Sequence, residues 1–380
     1  MNFSFSSEHI ALKERIEKFI EDNLGAELVE ELFRKGESHH DPLYKKFAEE
    51  GFIGLAWPEE FGGSGGSRMD MAVFMEVTGQ NEVPMGGFGA TVGLFAQSII
   101  HNGTDEQKKE FLPKIARGEI VCCLGITEPD AGSDAASVKM KAVRDGDYFV
   151  LSGAKVFITS AHLADYMLTL VRTDPSAEKP GGLSLIIVNL REKGVEINRI
   201  NTSSGFRVNE VVLEDVRVHK NYVVGELNGG WSAVRKTLSM ERVGLGNLRN
   251  AYRLTNELKD YILENNLYKD AYIRRLLCKL VMRAEVARLL YYNASWRQDA
   301  GKDFALDASV SKLFTSFLYH ALAGTGMEIL GFRGQIKSSS ERALLRGRIE
   351  FWYRHCAANT IGGGTTQIQR DVIWRTINAD

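Results

Sequence analysis

The hydrophobic repeat of this chain changes twice along its length, and that restricts the folds open to it. Up to about residue 118, apolar residues recur at helical spacing. In "SEHIALKERIEKFIEDNL", Ile10, Ile16, Phe19 and Ile20 share one face, and Ser7 is the expected start. "RMDMAVFMEVTGQ" and "DEQKKEFLPKIARG" read as further helices, the latter opened by Asp105 and closed by Gly118. From Glu119 the period shortens to that of strands: "IVCCLGITE", "DYMLTLVRT", "GLSLIIVNL" and "EVVLEDVRV" are short and β-branched. Asp145-Gly146, between two alternating runs, predicts a hairpin. After "VVGELNGGW" the helical period returns and holds to Asp380. One candidate helix there runs from Trp231 to Asn266; others are "AYIRRLLCKLVMRAEVARLLYYNASWRQDAG" and "ALDASVSKLFTSFLYHALAGTGMEILG". Segregated helical and β segments define an α+β chain without βαβ alternation. The expected domains are 1–118, 119–226 and 227–380.

Charge excludes some functions. The formal net charge is −2 with both signs dispersed, which argues against nucleic acid and anionic membranes. No apolar run approaches the roughly 18 residues of a membrane span, and the first residues lack a signal-peptide layout. The four cysteines make neither a disulfide framework nor a zinc spacing. The expected setting is cytoplasmic, with no metal.

Four stretches carry candidate chemistry. The loop "TEPDAGSD", Thr127 to Asp134, joins two strands and offers hydroxyls and amides to a polar ligand; a solvated connection is the alternative. In "KVFITS", strand alternation puts Phe157 and Thr159 on one face, suited either to a flat heterocycle or to the core. On the helix from Trp231, Val234, Leu238, Glu241, Leu245 and Leu248 form one apolar stripe containing a single carboxylate. Positions three and four residues from Glu241 hold no cation, so burial would raise its pKa and poise it as a base, unless a distant arginine pairs with it. The loop "TIGGGTTQIQRD" leads into a helix whose Thr366 and Gln369 fit a capping box. Its glycines expose amides suited to phosphate oxygens, but it supplies no acid, base or nucleophile. Elsewhere, His39-His40 reads as a solvated loop. His355 and Cys356 point about 100° apart on a helix and make no Cys–His pair. "SSERALLRGRIEFWYRH" reads as an exposed or subunit-facing helix.

Taken in order, "WPEEFGG", "NGTDEQKKEFLPKIARGEI", "GITEPDAGSD", "LSGAKVFITS", "VVGELNGGW", "MERVG" and "GGGTTQIQR" resemble segments of the flavin-dependent acyl-CoA dehydrogenases over nearly the full chain. The resemblance implies an N-terminal helical domain, a middle β-barrel-like domain and a C-terminal four-helix bundle. It also implies bound FAD. Matching positions for the cofactor are Leu124, Ile126, Thr127, Gly132, Ser133, Phe157, Thr159, Gly363, Gly364, Thr365 and Gln367. Ser133, Arg242 and Gly363 fall on the substrate side. The implied reaction is α,β-dehydrogenation of an acyl-CoA to a trans-2-enoyl-CoA, with hydride passing to flavin N5 and electrons to an electron-transfer flavoprotein.

Two departures from the family pattern stand out. Most members carry the catalytic glutamate at the position of Gly363. A minority, including isovaleryl-CoA and long-chain enzymes, take it from the helix residue before an arginine, which here is Glu241. The second departure is in "ENNLYKDAYIRRLL", where the Arg-x-x-Phe-Gly that reaches a neighbour's FAD is missing, as in bacterial members acting on bulky acyl-CoAs. The resemblance thus implies a homo-oligomer or a heteromer with a paralogous subunit. Competing readings are a flavin monooxygenase, a carrier-protein-linked oxidase, and a flavin-poor structural subunit of a heteromeric dehydrogenase.

Overall fold

The computed structural model describes residues 5–244 and 248–378, with side chains for all of these except 239–244, 248 and 249. The N-terminal segment contains α1 (Ser7–Asn23), α2 (Ala26–Lys35), α3 (Asp41–Glu49) and α4 (Arg68–Gln80), then a π-helical stretch (Gly89–Ala96), α5 (Gln97–Asn102) and α6 (Asp105–Ala116). Helices α1 and α6 begin at Ser7 and Asp105, and the residues that cap them lie one position earlier. The Ser6 hydroxyl accepts from His9 N at the head of α1, and Thr104, not Asp105, caps α6 in a reciprocal box with Gln107. A capping side chain must lie outside the helix to reach back to its free N–H groups, which periodicity does not show. Ile16 and Ile20 are buried, whereas Ile10 is exposed.

The middle segment forms one eight-stranded sheet: β1 (Cys122–Gly125), β2 (Lys141–Asp145), β3 (Tyr148–Ile158), β4 (Tyr166–Arg172), β5 (Leu183–Asn189), β6 (Val195–Asn201), β7 (Arg207–His219) and β8 (Val223–Val224). The strand order is β6-β7-β3-β2-β4-β5-β8, with β1 parallel to β4. The β2–β3 hairpin forms, but Asp145 pairs with Tyr148, so its tip is Gly146-Asp147. Gly146 takes the left-handed φ of +61° that the turn requires. Strands β4 and β5 are buried on both faces, as their unbroken Leu/Ile/Val runs require.

The C-terminal segment holds α7 (Gly230–Gly244), α8 (Leu248–Glu264), α9 (Ala271–Asp299), α10 (Ala305–Leu330), α11 (Arg348–Asn359) and α12 (Thr366–Ile377). Of the predicted helix from Trp231, residues 245–247 lie outside the described residues. Ala251, Leu254, Leu258 and Ile262 of α8 pack with Leu277, Leu280, Ala284 and Ala287 of α9 and with Leu318 and Leu322 of α10. Helices α11 and α12 lie against α10. Helical first and last segments around a β segment make this an α+β protein.

By compactness the chain forms two units. One comprises the chain up to Gly36, Ser67–Pro84 and everything from Arg242; the other comprises Glu37–Gly66 and Met85–Glu241.

Two local expectations fail. "SSERALLRGRIEFWYRH" is not one exposed helix. Leu345 and Arg346 have left-handed φ of +46° and +56°, and α11 starts only at Arg348. Arg348 is fully buried, donates to Glu30 and Glu82, and stacks 3.5 Å from the Phe33 ring. These carboxylates come from distant segments, so the local sequence gives no hint of them. Nor is His39-His40 a solvated loop. The His40 ring caps α3 by accepting from Leu43 N, while His39 bridges to Met85 and packs on Tyr44.

Candidate active site

The loop that leaves β1 is tied down by a buried ion pair that sequence reading missed. Lys155 is 0% exposed, and its Nζ donates to Glu128 Oε1 (2.7 Å), Ile126 O (3.1 Å) and Leu170 O (2.6 Å). The Glu128 carboxylate also accepts from Lys139 N (2.6 Å) and Met140 N (2.9 Å). Burial pulls the lysine pKa down to about 8, against the opposing pull of Glu128. Val156 N then donates to Thr127 O at 2.9 Å, which sets the loop beside the end of β3.

There the strand breaks its alternation. The pairing of β3 with β7 slips between Lys155 and Ile158, and Phe157 takes a φ of +59°. A bulky residue pays conformational energy in that region, and such strain gathers at functional sites. The bulge lets Lys155, Val156 and Ile158 all be buried, while Phe157 is 63% exposed and Thr159 is exposed. The core alternative for Phe157 is therefore excluded. Asn209, fully buried, donates to Ile158 O at 2.9 Å, and Ser160 donates to Gly86 O, so the exposed ring stands on a fixed backbone. Leu124, Ile126 and Thr127 are half-buried, and Gly132 and Ser133 are exposed on the adjoining loop.

Helix α7 is fixed to the same unit. Val234 and Thr237 are buried, and the Thr237 hydroxyl meets that of Ser98 at 2.7 Å. A Cβ at Gly230 would fall 2.6 Å from the Ser184 carbonyl carbon, so only glycine permits this approach to β5. Glu241 is one turn beyond Thr237 on this helix. Its side chain, like that of Arg242, lies outside the described residues.

In the other unit, the glycine loop joins α11 to α12. Gly363 and Gly364 have φ of +67° and +89°. The cap is again one residue early: the Thr365 hydroxyl accepts from Ile368 N at 3.2 Å, replacing the expected Thr366–Gln369 box. Gln369 instead donates back to the loop carbonyls. Gln367 is exposed and Thr365 half-buried. Among the described residues, the backbone N–H groups of Gly363, Gly364 and Thr365 make no hydrogen bond. Cys356 Sγ approaches His320 Nδ1 on α10 at 3.4 Å, and burial pushes this thiol up. No cluster of metal-binding side chains occurs among the described residues, and none of their helices is long and apolar enough to cross a membrane.

An exposed aromatic on a strained, well-anchored strand, with a hydroxyl-bearing loop beside it, is a surface suited to a flat ring. Three family models place the chain more closely. The acyl-CoA dehydrogenase N-terminal, middle and C-terminal domains match residues 6–119, 123–216 and 228–378. Acyl-CoA dehydrogenase FadE26 of Mycobacterium tuberculosis is 34% identical, with 86% of this chain and 84% of that protein covered. The caffeyl-CoA reductase-Etf complex subunit CarC of Acetobacterium woodii is 31% identical, with 97% and 98% covered. The ChsE4-ChsE5 complex from Mycobacterium tuberculosis superposes with a TM-score of 0.91 at 31% identity, covering 100% of this chain and 99% of that one. The chain belongs to the acyl-CoA dehydrogenase family, oxidoreductases that act on CH–CH donors.

Members of this family are flavoproteins, generally FAD-dependent. The residues present fit such a group. The Phe157 ring offers a face to an aromatic heterocycle, and Thr127, Ser133 and Thr159 offer hydroxyls. The free amides of the glycine loop suit anionic oxygens.

Proposed function

We propose that this chain binds FAD and oxidises the Cα–Cβ bond of an acyl-CoA thioester, with Glu241 as the base. The observation that carries this reading is Phe157, an aromatic ring held outward by a backbone that strains to expose it. Leu124, Ile126, Thr127, Gly132, Ser133, Phe157 and Thr159 would hold the flavin; Gly363, Gly364, Thr365 and Gln367 would meet its polar portion. When bound, FAD supplies the two-electron acceptor for the β-hydrogen. The chain's own work is acid–base and electrostatic. Glu241 takes the α-proton, and the Gly363 or Gly364 N–H stabilises the negative charge that develops on the thioester oxygen. Ser133 and Arg242 would contact the CoA ester. The product is a trans-2-enoyl-CoA, with 119–226 as the middle domain between helical domains 1–118 and 227–380.

Purified protein should be yellow and should bleach under anaerobic conditions with at least one member of a panel of straight, branched and bulky acyl-CoAs, releasing the matching enoyl-CoA. A colourless protein would leave only the structural-subunit reading. Oxygen consumption by the reduced protein with a hydroxylated product would favour a monooxygenase.

The chain would act as an oligomer, pairing with a second copy or a paralogous subunit, and pass electrons to an electron-transfer flavoprotein. The A. woodii relative is named as part of an Etf complex and the M. tuberculosis structure as a complex of two proteins, which supports this. So does α9, where Met282, Val286, Leu289 and Trp296 form an exposed apolar stripe at helical spacing. Leu289→Glu should shift the protein to a smaller species in sedimentation velocity. An unchanged mass would remove α9 from the interface.

A further inference from the structure

We propose that Gln369 is a positioning residue that aims the donor groups of the glycine loop, a role that rests on the dehydrogenase reading above. Gln369 is fully buried on α12, and its Nε2 donates to two successive carbonyls, Gly363 O at 3.0 Å and Gly364 O at 3.2 Å. A trans peptide plane sets its C=O and N–H in opposite directions. Holding these two carbonyls inward therefore turns the Gly364 and Thr365 N–H groups outward, where they have no partner among the described residues.

The loop accepts this shape because both glycines have left-handed φ. A Cβ at Gly364 would lie 2.7 Å from Gln369 Nε2, so the close approach needs glycine as well. Both amide hydrogens are used, one per carbonyl, which leaves Gln369 Oε1 buried without a partner. A buried acceptor left unsatisfied costs stability, so the side chain is placed for its donors.

The loop is anchored at its other end too. Lys312 Nζ and Ser316 Oγ, both from α10, donate to Asn359 O at 2.8 Å each, at the C-terminus of α11. A cation there is favoured by the helix dipole. With both ends fixed, the Gly364 and Thr365 amides are turned outward before any ligand arrives.

The ligand chemistry is an oxygen that carries or develops negative charge. We assign the Gly364 N–H to the thioester oxygen, which becomes enolate-like as the α-proton leaves. Phosphate oxygens of the cofactor are the other source.

The test uses the flavin-loaded protein and a 3-oxoacyl-CoA, whose acidic α-proton allows its enolate to be titrated by absorbance while bound. Gln369→Met keeps the volume but loses both donors. It should weaken enolate binding relative to the neutral ligand by roughly tenfold to a hundredfold and lower kcat similarly, with KM and flavin content little changed. Gln369→Glu, which keeps the shape and one donor while protonated, should fall between the two; it also serves if the methionine variant does not fold. A Gln369→Met protein that titrates like wild type overturns the proposal. Loss of flavin with an unchanged enolate titration also overturns it, assigning the amides to the cofactor phosphates. If wild-type protein bleaches with no acyl-CoA, the dehydrogenase reading itself fails, and this role with it; normal bleaching with an unaffected variant sinks the role of Gln369 alone.

Discussion

Glu241→Gln should give a yellow protein that binds acyl-CoA and does not bleach. Glutamine preserves the size of the side chain and removes its ability to accept a proton. General-base catalysis contributes about 10²–10⁴ in rate, so the anaerobic reduction rate should fall by about that factor. Flavin content should not change, because the residues assigned to the ring lie on β1, β3 and their loops. A second variant sharpens the result. The motif resemblance implies that Gly363 stands where most of the family carries its glutamate; on the proposed reading, Glu241→Gln with Gly363→Glu should recover part of the lost rate. The recovery would be incomplete, since the φ of +67° at Gly363 costs a side-chain-bearing residue about 1–2 kcal/mol. Bleaching at the wild-type rate in the single variant would remove Glu241 from the role of base.

The second large effect falls on stability. Glu128→Leu leaves Lys155 fully buried with only the carbonyls of Ile126 and Leu170 for its ammonium. Removing one partner of a buried pair costs about 3–5 kcal/mol, because the remaining charge is stranded. Denaturant titration should show that loss. The double variant Glu128→Leu with Lys155→Met should recover most of it, since an apolar pair of similar volume carries no stranded charge. Flavin affinity should still drop in the double variant, because the pair also fixes the Thr127 loop against β3. A single variant as stable as wild type would show that the ion pair does not hold the loop.

Much of the architecture was legible in the one-dimensional pattern. The change of period at Glu119 marks the approach to β1, and "RMDMAVFMEVTGQ" is α4 residue for residue. Caps and turn tips were misplaced by one position, because they depend on which side chain reaches a free amide. Phe157 was ambiguous for a different reason. Strict alternation puts Lys155, Phe157 and Thr159 on one face, yet the bulge buries the lysine and exposes the ring. A lysine inside an apolar strand, with a glutamate in the preceding loop, was the available signal for the ion pair. Arg348 had no such signal, since its partners Glu30 and Glu82 lie more than 260 positions upstream. The same holds for Cys356, whose neighbour His320 comes from another helix. Glu241 stood out by pattern alone, as one carboxylate on an apolar stripe.

Gly230 has a consequence for how such an enzyme can change. The root of α7 presses on the main chain of β5, which has no rotamer through which to yield. Diversification of the sheet in that neighbourhood is therefore coupled to the heading of the helix and to the address of the carboxylate it carries. On the proposed reading, the base would take its bearing from the sheet.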